Sequence, residues 1–209
     1  DDKIKAFINV KNLKDEEYIN SHYVFFCTKN GVIKKTLLEE FSRPRQNGVI
    51  AITIREEDEL LDALLTNGNM EMIIASKDGR AIRFNENKVR SMGRTAAGVT
   101  GMDLGDNPGN EIVGIVSVDK SSEIPQTVLV VSEKGYGKRT YIDDPEDGEA
   151  IYRVTNRGGK GVKTLNITEK TGKLISINAV TDADDLMIIN KSGLTIRMAV
   201  EDLRVMGRA

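Results

Sequence analysis

The 209-residue sequence predicts an all-β chain built as a propeller-like array of four-stranded blades, about four of them. Three observations predict it. An apolar run closed by a turn glycine recurs four times: FFCTKNGVIKKT ending at Thr36, MIIASKDGRAIRF at Phe84, VLVVSEKGYGKRT at Thr140 and LMIINKSGLTIRM at Met198. A basic residue stands four places beyond each turn glycine, Lys35, Arg83, Arg139 and Arg197 following Gly31, Gly79, Gly135 and Gly193. The repeat length is roughly 50 to 60 residues, the size of one four-stranded blade.

In chain order, residues 4–10 (IKAFINV) alternate like the last strand of a preceding unit, and a charged connector follows to residue 20. The first unit, about 23–70, opens with the hairpin at Gly31. A second glycine, Gly48, introduces VIAITI (49–54), and LLDALL (60–65) closes the unit. The second unit, about 71–118, repeats this with Gly98 before VTGMDL (99–104) and then IVGIVSV (112–118). The third, about 127–180, has Gly161 before VKTLNI (162–167) and then LISINAV (174–180). The fourth, about 185–209, ends before its second glycine strand. VRSMGRT (89–95) and LRVMGRA (203–209) are as far apart as Gly79 and Gly193, so the repeat keeps register. Runs of β-branched and aliphatic residues closed by glycine are strand and hairpin signals, and shared neighbours make 1–209 one domain, read as an excerpt from a longer array.

Hydrophobic residues make up 39% of the chain, enough for a core, and no run reaches the length of a membrane span. The single cysteine, Cys27, lies inside an apolar strand and reads as a structural thiol, which makes the cytoplasm the default location. One histidine, His22, cannot share a metal with another. No zinc spacing, dinucleotide fingerprint or nucleophile–base pair is present, and no catalytic or metal-binding residue emerges. The acidic run DDPEDGE (143–149) lacks the alternating ligands of a calcium loop and reads as a solvated turn, as do EEDE (56–59) and DADD (182–185). Tyr136 is expected to pack on the sheet.

The net charge of −2 conceals a segregation. Segments 31–48, 79–98, 135–161 and 193–209 hold 17 Lys and Arg against 10 Asp and Glu, and the remainder holds 13 against 22. Units arranged around an axis would align these segments into a basic stripe, the electrostatic footprint of a nucleic-acid backbone. The alternative is that they are ordinary solvated residues. The candidate DNA-binding residues are Lys34, Lys35, Arg43 and Arg45 in the first unit, and Arg83, Lys88, Arg90 and Arg94 in the second. The third unit contributes Lys138, Arg139, Arg153, Arg157 and Lys160, and the fourth Arg197, Arg204 and Arg208. Within the third unit, Arg157, Gly158, Gly159, Lys160 and Gly161 form a compact loop whose backbone is unobstructed, suited to clamping phosphate.

The GYGKRT block (135–140), RFNENKVRSMGRTAAGVTGM (83–102) and the LRVMGR ending resemble the C-terminal domain of DNA gyrase A subunits over essentially the whole chain. The resemblance implies a β-pinwheel, in which neighbouring blades exchange strands and a basic perimeter binds and bends duplex DNA. It further implies a bacterial, cytoplasmic, nucleoid-associated complex of two A and two B subunits (A2B2) that supercoils DNA using ATP. The family's catalytic tyrosine, magnesium site and ATP site lie outside this stretch, so no cofactor is expected here. TNRGGKG (155–161) matches the last five positions of the family's Q-R-R-G-G-[RK]-G box, with Thr155 and Asn156 in place of Gln and Arg. It reads either as a second, degenerate box or as an ordinary blade loop. The C-terminal domain of the topoisomerase IV counterpart of gyrase A and a protein-binding propeller are the alternatives.

Overall fold

The computed structural model describes residues 3–208. A short helix, α1 (Glu16–Ser21), is capped by the Asp15 carboxylate, which accepts from the Tyr18 amide at 3.1 Å. The first unit then supplies β1 (Tyr23–Thr28), β2 (Val32–Leu37) and β3 (Leu60–Thr66). The second supplies β4 (Glu71–Ser76), β5 (Arg80–Asn85), β6 (Val99–Thr100) and β7 (Ile112–Val118). From the third come β8 (Thr127–Ser132), β9 (Gly137–Tyr141), β10 (Val162–Lys163) and β11 (Leu174–Val180), and from the fourth β12 (Asp185–Ile189) and β13 (Thr195–Ala199).

The four turn glycines work alike. Gly31, Gly79, Gly135 and Gly193 sit at φ between 78° and 84°, and each donates its amide to the carbonyl three residues earlier. Glycine reaches this left-handed region without a Cβ penalty, which is why one turn type recurs at every hairpin.

Sheet order shows that sequence units and blades do not coincide. The first sheet runs β3-β1-β2-β6 and the second β10-β5-β4-β7, all antiparallel. The strands after Gly98 and Gly161 therefore pair with the preceding unit's hairpin, which is the strand exchange of a pinwheel. The third sheet is β11-β8-β9, and β12 pairs with β13. Strands β3, β7 and β11 pack side by side, so they face the centre, and the opposite edges with β6 and β10 form the perimeter.

The core lies between blades. Phe25, Cys27 and Ile33 of the first sheet meet Met72, Ile74, Ile82 and Phe84 of the second, while Ile73, Ala75 and Ala81 turn the other way toward Val128, Val130 and Tyr152. Alternate side chains of β4 thus enter two different cores, which makes the whole strand buried. Cys27 is fully buried, and its thiol is pushed well above the usual range, first by burial and then by Asp58 and Asp62.

Two expected strands are absent among the described residues. Residues 4–10 make no ladder; Ala6, Ile8 and Val10 pack against the first blade's own cluster of Val24, Phe26, Leu38 and Ala63, with Ile4 and Phe7 exposed. Residues 49–54 carry no strand pairing either, and 99–104 and 162–167 are paired over only two residues each.

The exchange depends on the second glycine. Gly161 has φ +69°, and a Cβ there would stand 2.3 Å from the Ala81 carbonyl oxygen. Gly98 meets Ile33 in the same way at 2.4 Å. Gly148 has a similar φ, +74°, with nothing within 4 Å of a Cβ. Urea unfolding of Gly161→Ala should therefore show a loss of roughly 3 kcal/mol, against roughly 1 kcal/mol for Gly148→Ala, which carries only the backbone strain. Equal losses would mean that close approach does not hold the exchanged strand.

Candidate nucleic-acid interface

The basic residue four places beyond each turn glycine faces inward, contrary to the sequence expectation. Lys35, Arg83 and Arg139 are only 6%, 2% and 4% exposed. Each side chain reaches the residue twelve places earlier, at the start of its own hairpin. Lys35 lies 4.4 Å over the Tyr23 ring, Arg83 Nε donates to Glu71 at 2.7 Å, and Arg139 Nε donates to Thr127 Oγ1 at 2.8 Å. Each also crosses to the same point of the next unit, donating to the carbonyl of Glu86 (3.2 Å), Ile142 (3.3 Å) or Val200 (3.2 Å). Their backbones cross too: the Lys35, Arg83 and Arg139 carbonyls accept from the amides of Met92, Thr155 and Met206.

These residues latch blades together, and a buried guanidinium donating in this way does not reach a phosphate. Arg83 completes its shell with a bidentate pair to Asp143 at 2.6 and 3.0 Å and a bond to the Tyr152 carbonyl at 2.9 Å. Burial alone would lower the Arg83 pKa, but the Asp143 and Glu71 carboxylates overcome it and hold the group above its usual value. Asp143, expected as part of a solvated turn, is a latch partner shared with Lys120. Its own burial opposes ionisation, yet Arg83 and Lys120 hold its pKa below the usual carboxylate range. Asp182, at another expected turn, receives Arg139 Nη2 at 2.6 Å. Arg197 occupies the same repeat position in an exposed setting and meets Asp185, again twelve places earlier.

Lys34 is also buried, under Ala51 and Arg94, whose carbonyls accept from its Nζ, and burial pushes it down to about 8. Lys138 repeats the arrangement in part-buried form, donating to the Arg208 carbonyl at 2.8 Å. Burial, then Arg208, lowers its pKa.

The remaining basic residues occupy perimeter loops. Arg43 and Arg45 are exposed on 41–48, and Lys88 and Lys160 on the two following loops. Arg90, Arg153 and Arg204 are exposed at equivalent positions, each immediately before the residue that bridges to the preceding blade: Ser91 to Lys35, Val154 to Arg83, Val205 to Arg139. Among the described residues no carboxylate pairs with these three. Arg94, Arg157 and Arg208 form a second equivalent set, half-buried. Arg157 and Arg208 each donate to an exchanged-strand carbonyl, Thr100 and Lys163, at 3.0 Å, and Arg94 lies 3.8 Å from Glu40. The exposed carboxylates Glu56, Glu57 and Glu123 sit in connectors at strand ends, while exposed Glu40 adjoins the first perimeter loop.

The glycine-rich loop is committed to packing. Gly158 donates to Gly101 at 2.7 Å, the Gly159 carbonyl accepts from Asp103 at 3.0 Å, and the carbonyls of Lys160 and Gly161 accept from Arg80 at 3.0 and 2.9 Å. Gly161 thus serves the strand exchange, leaving Lys160 as the loop's exposed cation. Tyr136 is exposed at its hairpin tip, with Lys170 5.5 Å above its ring, and does not pack on the sheet. Among the described residues no three His, Cys, Asp or Glu are grouped to hold a metal, and no helix is long and apolar enough to cross a membrane.

The model of the DNA gyrase C-terminal domain, a beta-propeller, matches residues 22–67, 71–119, 126–144, 152–181 and 184–209. This chain belongs to that family. The DNA gyrase A protein of Staphylococcus epidermidis is 44% identical over all 209 residues, which span 22% of that relative. Two solved structures, "Structure of DNA gyrase A C-terminal domain" and "Crystal structure of the C-terminal domain of DNA topoisomerase IV", superpose with TM-scores of 0.74 and 0.78. Their identities are 27% and 25%; each alignment covers 90% of this chain, and 59% and 55% of theirs. The shared blade architecture does not separate gyrase from topoisomerase IV, whereas the identity to a gyrase A protein along the whole of this chain favours the former. Residues 145–151, most of the acidic connector, lie outside the family match.

The latch and the perimeter should separate in stability measurements. Arg83→Ala leaves Glu71 and Asp143 without their buried partner, so a loss of about 3–5 kcal/mol is expected, while Arg90→Ala should stay within about 0.5 kcal/mol. A small loss for Arg83→Ala in urea unfolding would show that the latch is dispensable. Because the folded pKa of Asp143 is depressed, its contribution is present at neutral pH and lost as pH falls through and below the ordinary carboxylate range. Asp143→Asn should lower stability at pH 7 and flatten the acid limb of the stability curve. An unchanged acid limb would assign that limb to other carboxylates.

Proposed function

We propose that this chain binds and bends duplex DNA along its basic perimeter, as the wrapping domain of a gyrase A protein. The observation that carries this reading is the recurrence of one exposed arginine, Arg90, Arg153 and Arg204, at the same perimeter point of successive units. Arg43, Arg45, Lys88 and Lys160 extend the stripe, and the half-buried Arg94, Arg157 and Arg208 line its edge. Cations on loops reach phosphates more readily than base edges, so contacts position the duplex without strong sequence preference. Bending a short site costs on the order of 1–6 kcal/mol, offset by contacts accumulated from blade to blade.

In the whole protein, this domain would hold DNA against a complex of A and B subunits in the bacterial cytoplasm and nucleoid. ATP hydrolysis, magnesium chemistry and strand cleavage would belong to other parts of that complex. The domain is a binding module.

The test is duplex-DNA affinity across a salt series, comparing the chain with its Arg90→Glu/Arg153→Glu/Arg204→Glu variant. Counterion release predicts a linear fall of log affinity with log salt, with a slope shallower by about 3 in the variant. Salt-insensitive binding, or a variant that retains the full slope, would overturn the reading and favour a protein-binding propeller. Charge reversal at Lys35, Arg83 or Arg139 would probe folding instead, because those side chains are buried.

A further inference from the structure

The junction between the second and third blades differs from its neighbour in a way the repeat makes visible. A concavity of about 400 Å³ opens there, with Arg80, Arg83, Arg153, Thr155, Asn156 and Lys160 contributing its polar lining and no carboxylate among its lining residues. In the junction between the first and second blades, the counterparts of Arg80, Thr155 and Lys160 are Val32, Met92 and Ala97. Met92 packs against the first interblade core, and Met206 occupies the equivalent place in the fourth unit. Thr155 is shorter than Met92 and polar, so the space that Met92 fills at the first junction is left open here and lined with a hydroxyl.

We propose that this concavity is a phosphate seat, and that it takes a backbone phosphodiester of the duplex. The inference rests on the perimeter being the DNA-binding surface and names one built site within it. Arg80 has already committed Nε and Nη2 to the carbonyls of Lys160 and Gly161, which holds the loop in place and leaves Nη1 toward other partners. Arg83, at the base of the site, has its donors satisfied by Glu71, Asp143 and the Tyr152 carbonyl, and its charge is balanced by those two carboxylates. Arg153 and Lys160 are exposed and have no ion-pair partner among the described residues, so their charge is available to an incoming anion. Three cations unpaired among the described residues, Arg80, Arg153 and Lys160, around a partly enclosed hollow attract an anion more strongly than the same charges on a flat surface, because the low-dielectric wall focuses their field. A phosphodiester, with oxygens that accept from both a guanidinium and an ammonium, suits this donor set.

The test restores the neighbouring junction's residues. Thr155→Met/Lys160→Ala refills the hollow with a side chain the fold accommodates at Met92, and a melting temperature close to wild type verifies folding. Arg90→Ala removes an exposed perimeter cation outside the concavity. Duplex-DNA affinity at fixed salt is measured for all three chains, and inorganic phosphate is titrated into each by backbone-amide NMR. The expected result is about a tenfold loss of DNA affinity in the double variant against roughly two- to threefold for Arg90→Ala, since a seated phosphate makes several contacts and a surface one few. Phosphate should shift amides of residues 153–161 in the wild type and in Arg90→Ala, but not in the double variant. DNA binding reduced equally by the two variants would overturn the seat. Phosphate binding abolished while DNA affinity is unchanged would assign the pocket to a free anion and overturn the phosphodiester. If the wild-type chain fails to bind DNA at all, the perimeter reading fails, and the phosphate titration alone then judges the anion site.

Discussion

Every blade junction is closed by one residue acting through both its backbone and its side chain. The carbonyls of Lys35, Arg83 and Arg139 accept amides from the next unit's loop, and their cations span from the start of their own hairpin to the next unit's carbonyls. Hydrophobic burial supplies the larger energy, because the cores at Phe25–Phe84 and Ile73–Val128 exist only between docked blades. That force is non-directional, however, and a twisted sheet sliding on its neighbour could bury similar area in another register. The buried cation discriminates: with the neighbouring blade displaced by one residue, Arg83 would lose Asp143 and the carbonyls of Ile142 and Tyr152 together, and poorly compensated buried charge is among the costliest defects in a fold. Strand exchange through β6 and β10 depends on the same registration, since Gly98 and Gly161 must lie against Ile33 and Ala81 with no room for a Cβ.

The hairpins, their turn glycines and the repeat register are legible in the sequence because their causes are local. A left-handed glycine after an apolar run carries its own signal. The strand status of 4–10 and 49–54 is not, since ladder formation depends on a neighbouring edge that the segment itself does not encode. The latch is hidden for a similar reason. Adjacent lysines in a strand, such as Lys34 and Lys35, point to opposite faces, and one of them would normally be solvated. Here β2 is covered on both faces and both are buried. A usable signal does exist: Tyr23, Glu71, Thr127 and Asp185 recur twelve residues before Lys35, Arg83, Arg139 and Arg197, and residues capable of meeting a cation at that fixed offset mark a structural pair.

Arginines in this chain thus divide into inward and outward sets distinguished only by place in the repeat. The outward set is ordered by the inward one. Arg90, Arg153 and Arg204 each precede the residue bridged to a latch, so their backbones are fixed even though their side chains are free. A cation held at its Cα forfeits less entropy on meeting a phosphate than one on an unanchored loop, and the anchors repeat with the blades. Spacing along the perimeter therefore inherits the blade-to-blade geometry.

The acidic connector shows how firmly that geometry is held. Residues 145–151 lie outside the family match, yet Asp143 before them and Tyr152 after them both bond to Arg83, so the extra chain is gathered between two points of one latch. The Asp144 amide closes the loop on the Glu149 carbonyl at 2.8 Å, and Gly148 returns to Asp144 at 2.9 Å. Arg153 consequently keeps the position that Arg90 has in the unit without the insertion. The first acidic residues of the connector, Asp143 and Asp144, line one hollow together with Asp119 and Glu123, which gathers negative charge on that flank. A polyanion approaching the array meets repulsion from this flank and attraction from the loops, and the two together define a narrower path than the arginines alone would.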